Sequence, residues 1–297
     1  MRYSIRKAFT LLSMLSLTYS CENNNTDINK DAVSIEEDPY RGIRTPGLKA
    51  EILEYDKTSM ENWKLGNSND FNEFYFINML NNPFEPIVIV YRQEGSSYNI
   101  KKYKFYPIDS EHTDILYSRE YYIERTTKGW TKMKSLGPMF DRDDWGIMTL
   151  NISKKGTIVI DDAKNGDVIR ISRIKNGIRE EPRPLGEEIN TGKWTAHPYI
   201  APDESYLIWD SEREEGYGGA DLYISFRQKD GSWGKAINLG EKINTKLWEN
   251  GARVTPDGKF LTFSRSEEIV RKDGTSYWAG NGQWVSTQVI ENLRPKE

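Results

Sequence analysis

The chain has little of what builds metal centres and covalent cross-links: one cysteine and two histidines in 297 residues. A single cysteine excludes an internal disulfide, a Cys-cluster zinc site and an iron–sulfur centre. The two histidines, His112 and His197, leave little material for a multi-histidine metal site. Positive charge is not in excess either. The formal net charge of −4 argues against a general nucleic-acid binder, which is normally basic. Long apolar runs are missing after the first twenty residues. The longest later one, Ile87-Val88-Ile89-Val90-Tyr91, falls far short of the roughly 20 residues that span a bilayer. No Gly-x-Ser-x-Gly elbow occurs. Gly216-Tyr217-Gly218-Gly219 lacks the Lys-Ser/Thr and the helix of a phosphate loop, so it reads as a tight strand connection.

What is present begins with a leader. Arg2, Arg6 and Lys7 precede an apolar stretch from Ala8 to Leu17, and small residues lead to Cys21. A basic start followed by a short apolar run is the pattern of an export signal. The lone cysteine closes it in the manner of a bacterial lipobox. Residues 1–20 are therefore expected to be a lipoprotein signal peptide, and Cys21 the lipidated residue. Residues 21–45, with Asn, Asp and Glu and almost nothing apolar, are expected to be a polar tether. One folded domain should occupy 46–297.

That domain repeats itself. Leu185-Gly186-Glu187-Glu188-Ile189-Asn190-Thr191 returns 54 residues later as Leu239-Gly240-Glu241-Lys242-Ile243-Asn244-Thr245, and Pro202-Asp203 returns as Pro256-Asp257. Trp145, Trp194 and Trp248 are spaced by 49 and 54. The shorter spacing reflects a deletion between Asp161 and Asp167, opposite Glu212 to Gly219, and so places a loop there. One copy reads as Pro198-Tyr199-Ile200, a Pro-Asp turn, Tyr206-Leu207-Ile208-Trp209, Leu222 to Phe226, then a turn at Lys229-Asp230-Gly231 into Ser232-Trp233 and a fourth strand. Four short strands per unit of about fifty residues make a β-propeller blade. Weaker copies start at Phe74 and Tyr121, and a last one runs Phe260 to Phe263 and Gln283 to Ser286. The fold is thus expected to be all-β, a propeller of five visible four-stranded modules and five or six blades. Residues 48–53 would supply the missing last strand and remove an exposed sheet edge.

Tyr199-Ile200-Ala201-Pro202-Asp203-Glu204-Ser205-Tyr206, Gly216-Tyr217-Gly218-Gly219-Ala220-Asp221-Leu222-Tyr223 and Pro256-Asp257-Gly258-Lys259 resemble the repeats of TolB-like, WD-repeat-like β-propellers. Such repeats are common in exported proteins and lipoproteins of the Bacteroidota. The resemblance implies a propeller outside the cytoplasm, in the periplasm or on the outer membrane, and implies no single activity. The histidine-based metal site of TolB-like pectate-degrading lyases has no counterpart in two histidines of different modules.

Asp203 and Asp257 read as turn residues whose carboxylates cap nearby N–H groups, and Asp221 as a local cap. Trp145, Trp194 and Trp248 each lie 15 residues before an equivalent strand residue, Ile160, Trp209 and Phe263. They are expected on one face near the central channel, where they either wedge between blades or stack on a ligand. Glu249, Arg213 and Tyr217 would extend that surface. Two functions stay open, beside a third in which the propeller is a docking platform within a larger envelope assembly. The first is a binding or scaffold propeller, anchored to the membrane by lipid alone, with a protein, peptide or glycan partner and neither cofactor, metal nor catalytic residues. The alternative is a glycan- or peptide-degrading enzyme using carboxylates such as Glu249 and Asp144 at the channel mouth.

Overall fold

Short apolar runs in this chain are buried on both sides, and the strands they form gather into successive antiparallel sheets. The computed structural model describes residues 44–53, 62–67, 73–78, 87–94, 97–103, 115–117, 121–126, 129–255 and 257–296. Cys21, the leader, most of the tether and His112 lie outside them. The N-terminal strand is β1 (Glu51–Ile52), and the first sheet takes β2 (Asn62–Asn67), β3 (Glu73–Asn78), β4 (Ile87–Glu94) and β5 (Ser97–Tyr103) in that order. In the second sheet β7 (Tyr121–Thr126) pairs with β6 (Ile115–Tyr117) on one side. On its other side it meets β8 (Gly129–Trp130) and β9 (Lys134–Ser135), two pieces of one interrupted strand.

The third sheet runs β10 (Leu150–Ile152), β11 (Ile158–Asp162), β12 (Val168–Ser172) and, after the small hairpin β13 (Ile174–Lys175)–β14 (Ile178–Arg179), β15 (Arg183–Pro184). The fourth runs β16 (Lys193–Ile200), β17 (Tyr206–Glu212), β18 (Asp221–Phe226) and β19 (Ile237–Asn238). The fifth joins β20 (Trp248–Val254), β21 (Phe260–Val270) and β22 (Ser276–Ser286) to β1, which pairs with β22 through Glu51 opposite Trp284. The protein is a β-propeller, with five four-stranded sheets among the described residues and its last blade completed by the strand expected from residues 48–53. A helix, α1 (Gln288–Leu293), follows and buries Val289 and Ile290.

Period-two alternation distributes the core between blades. On β17, Leu207 and Trp209 pack with Val159, Ile169 and Ile171 of the third blade. Ile208, between them, faces Ala252, Leu261 and Phe263 of the fifth. On β11, Ile158 and Ile160 turn to Tyr117 and Phe140, while Val159 turns the other way. A blade inside the stack has no wet face, and its strands therefore read as continuous apolar runs.

Two features of the repeat have structural causes. Asn190 and Asn244 end the Leu-Gly-x-x-Ile-Asn motif, and each side-chain amide behaves like a strand neighbour. Asn190 accepts from Ile169 N at 2.8 Å and donates to Ile169 O at 3.0 Å; Asn244 does the same to Leu222 at 2.9 and 3.0 Å. Asp161 and Asp210 hold consecutive blades together. Asp161 accepts from His197 N of the next blade and Asp210 from Gly251 N of the next, both at 3.0 Å. The deletion inferred between Asp161 and Asp167 is a 3-10 turn, Ala163–Asn165, joining β11 to β12.

The structure corrects two details. The fourth strand of the fourth blade is β19, because Trp233 makes only an isolated bridge to Arg227. The last blade's two middle strands are 11 residues each, well beyond the short runs Phe260–Phe263 and Gln283–Ser286. Their outer halves expose Val270, Tyr277 and Trp278 among polar residues and form no continuous apolar run.

Candidate functional site

The first strand of a blade lines the propeller axis, and in the fourth and fifth blades this strand is bulged. The pairing of β16 with β17 slips between Lys193 and Ala196 and again between Ala196 and Tyr199; β20 slips between Asn250 and Arg253. Left-handed residues accompany the slips: Trp194 at φ 53°, His197 at φ 49° and Gly251 at φ 66°. Gly251 is the repeat equivalent of His197, and glycine takes this conformation without penalty. For a residue with a Cβ it costs about 1–2 kcal/mol. Two strained residues in one strand, a tryptophan and a histidine, define the two regions of interest.

The first is an aromatic ledge at the end where the inner strands enter. Trp194 is 55% exposed. Its ring meets that of Trp248 edge-on at 6.4 Å, and Trp248 meets Trp278 at 5.3 Å. Such edge-to-face distances are those at which aromatic pairs attract. The Gly-rich loop is shaped by this ledge. A Cβ on Gly219 would stand 2.6 Å from Trp248 Cδ1, and one on Gly218 would stand 2.4 Å from Lys246 Cα. Gly219 N donates to Leu247 O at 3.2 Å, so the loop lies flat against the neighbouring blade. Tyr217, on that loop, is exposed, and its N–H is held by buried Asp221 at 2.8 Å.

Trp278 was not singled out from sequence. It belongs to the far half of the β21–β22 hairpin, which extends past the end of β20. The signal for it was available: Lys272-Asp273-Gly274-Thr275 is a hairpin turn flanked by Ile-Val on one side and Tyr-Trp on the other.

The remaining residues expected on this surface have other places. Trp145 is buried under two guanidiniums, Arg142 at 4.3 Å and Arg170 at 4.7 Å from its ring centroid, and does not join the ledge. Arg213 lies inward over Tyr223, at 4.4 Å from its ring, and donates to Ile189 O. Glu249 is 0% exposed. Its carboxylate accepts from Thr245 N at 2.9 Å, Thr245 Oγ1 at 2.7 Å and Arg265 Nε at 2.7 Å. It is therefore a buried strut whose carboxylate is engaged by the protein's own donors, away from the exposed surface of Trp194. Asp144 is paired with Arg142, whose hydrogen bond holds its pKa below the usual carboxylate range. The two carboxylates named for catalysis are thus each engaged by an arginine.

The second region is a His–Asp pair on the inner strands. His197 Nδ1 lies 3.1 and 3.0 Å from the two oxygens of Asp210. Burial disfavours charge on the ring, but the charge and hydrogen bond of Asp210, with the charge of Asp161 added, outweigh it and raise the pKa to about 9. Its side chain is 32% exposed, and the raised pKa favours the protonated ring. Asp161, fully buried, is pushed up by burial against the pull of His197 and of N–H donors from Thr149, His197 and Met148. The turn aspartates behave as their sequence suggests: Asp203 accepts from Ser205 N and Asp257 from Lys259 N. Among the described residues no group of three or more His, Cys, Asp or Glu is arranged to hold a metal ion. No helix among them is long and apolar enough to cross a membrane.

No family model matches the chain, and no curated relative does. Solved structures do. TolB from Acinetobacter baumannii matches at 12% identity and a TM-score of 0.47, over 76% of this chain. The chain spans 57% of the length of that TolB. A gluconolactonase from Xanthomonas campestris matches at 9% identity and 0.43, over 82% of this chain and 98% of its own. A putative 6-phosphogluconolactonase from Bacteroides uniformis matches at 10% and 0.39, over 73% and 83%. The propeller assignment rests on the sheets themselves.

Proposed function

We propose that this chain is a binding or scaffold propeller, exported and held in the cell envelope by a lipid on Cys21, of the type found among Bacteroidota lipoproteins. Its ligand is a protein, peptide or glycan that meets the aromatic ledge. The observation that carries this reading is the strained, half-exposed Trp194, joined edge-to-face through Trp248 to Trp278 across two blades. A buried tryptophan serves packing. An exposed one held at a backbone cost of about 1–2 kcal/mol is better explained by a surface it must touch. Glycan arrays and peptide panels read by tryptophan fluorescence test the proposal. Binding that is lost in both Trp194→Ala and Trp278→Ala supports it; a ligand that binds both variants as tightly as the parent refutes the ledge as its site.

An enzyme remains the second reading, and the His197–Asp210 pair is the observation that favours it. A histidine oriented by a carboxylate is a common proton-transfer unit. Turnover of any panel member that disappears in His197→Gln would establish it.

A further inference from the structure

Resting on the ledge as a binding surface, we infer that its partner is an extended peptide segment, which adds as a strand to the open edge of β21 between Glu267 and Val270. The argument starts with the hydrogen-bond alternation of antiparallel strands. Arg271 N donates to Thr275 O at 2.7 Å, which marks these two as a bonded pair across the hairpin. Counting back by two, Ile269 and Glu267 bond to β22. Glu268 and Val270 therefore turn their N–H and C=O groups away from it. On that side β20 stops at Trp248, opposite Ser266. No strand among the described residues pairs with the edge at Glu268 and Val270. An unpaired edge of this kind is a template for another extended segment.

Both faces of the same edge are furnished. Register places Trp278 opposite Glu268, on the face that carries Trp248 opposite Ser266. The other face holds an open pocket of about 180 Å³ lined by Leu247, Arg265, Glu267, Ala279 and Asn281. A strand laid along the edge, in line with β20, sends alternate side chains to the indoles and into this pocket. Glycan hydroxyls can meet single main-chain groups, but only a peptide backbone repeats donors and acceptors at the spacing of a strand edge.

Charge selects the partner. Glu267 and Glu268 are exposed and have no ion-pair partner among the described residues, whereas Arg271 is engaged over the Tyr277 ring at 4.5 Å. Pairing two copies of this edge would set the glutamates of both against each other, which opposes self-association. A segment alternating apolar or aromatic residues with lysine or arginine satisfies edge, ledge and acids together.

The test uses the purified protein and a fluorescein-labelled eight-residue peptide of alternating Trp/Val and Lys, with fluorescence anisotropy as readout. Val270→Pro removes an outward N–H and leaves the ladder to β22 intact, which circular dichroism and an unchanged melting temperature verify. Affinity is expected to fall at least about tenfold in this variant, one to two hydrogen bonds' worth. It should fall similarly with a peptide N-methylated at alternate residues in one register, and much less in the other. Glu267→Lys/Glu268→Lys should weaken binding of the basic peptide and strengthen that of a Glu-containing counterpart. Equal affinity of parent and Val270→Pro, or indifference to N-methylation, overturns strand addition. If a glycan but no peptide binds, with Trp278→Ala abolishing it, strand addition falls while the ledge stands. If peptide binding survives Trp194→Ala and Trp278→Ala but not Val270→Pro, the ledge falls and the edge stands. Concentration-dependent dimerisation lost in Val270→Pro would overturn the choice of partner in favour of a second copy.

Discussion

Replacing Glu249 by alanine separates a strut from a ligand contact. The carboxylate is fully buried and accepts from Arg265 Nε, Thr245 N and Thr245 Oγ1. Its removal strands the guanidinium of Arg265, whose side chain is only 19% exposed. Breaking a buried pair by deleting one partner costs about 3–5 kcal/mol. Arg265 keeps Gln283 Oε1 and Ile243 O, so the lower end, about 3 kcal/mol, applies here. For a domain of this size that corresponds to a fall in melting temperature of about 6–12 °C. Glu249→Gln keeps the shape and an acceptor for Thr245 while losing the charge, and should fall between parent and Glu249→Ala. Thermal and urea unfolding followed by far-UV circular dichroism measure both. A ligand-facing Glu249 would behave otherwise, because surface substitutions shift stability by no more than about 0.5 kcal/mol. A melting temperature of Glu249→Ala within about 1 °C of the parent refutes the strut.

Trp194→Gly should leave stability unchanged or raise it by about 0.5–1 kcal/mol, since glycine relieves the left-handed backbone; a clear loss would mean that the indole is needed for packing. His197 has a folded pKa of about 9 against an ordinary 6.5. Its contribution is therefore complete below pH 6.5 and disappears as pH rises through 9. With the ring one-third exposed and partly screened, about 1–2 kcal/mol of stability should be lost across that window. Urea titrations at pH 6 and pH 10 should show the loss in the parent and a flat response in His197→Gln. Cys21→Ser should move the protein from the membrane to the soluble fraction; retention on membranes would sink lipidation.

The blade pattern was readable because propeller blades repeat a local solution. The Leu-Gly-x-x-Ile-Asn motif recurs since Asn190 and Asn244 do the same work on β12 and β18, and Pro-Asp turns recur since each carboxylate caps its own loop. Even the loop deletion near Asp161 was visible as a change of spacing. Trp145, Trp194 and Trp248 were also legible as a repeated set, but their environments were not. Whether a repeated indole is covered depends on its neighbours: Arg142 and Arg170 cover Trp145, and nothing comparable among the described residues covers Trp194. The burial of Glu249 was hidden for the same reason, because Arg265 and Thr245 reach it from positions that no spacing relates to it.

Sequence by itself determined the repeated unit, the four-stranded module, the strand borrowed from near residue 50 and the turn chemistry, all of which depend on residues close in the chain or on strict period. Tertiary structure alone decided which aromatics share a surface, that Asp161 and Asp210 clasp successive blades, and that β21 and β22 run past the end of β20, leaving an edge unpaired among the described residues. Those outcomes depend on the bulges in β16 and β20 and on which side chains meet across blades. Contacts between elements far apart in sequence leave no periodic trace, so they appear only once the sheets are packed.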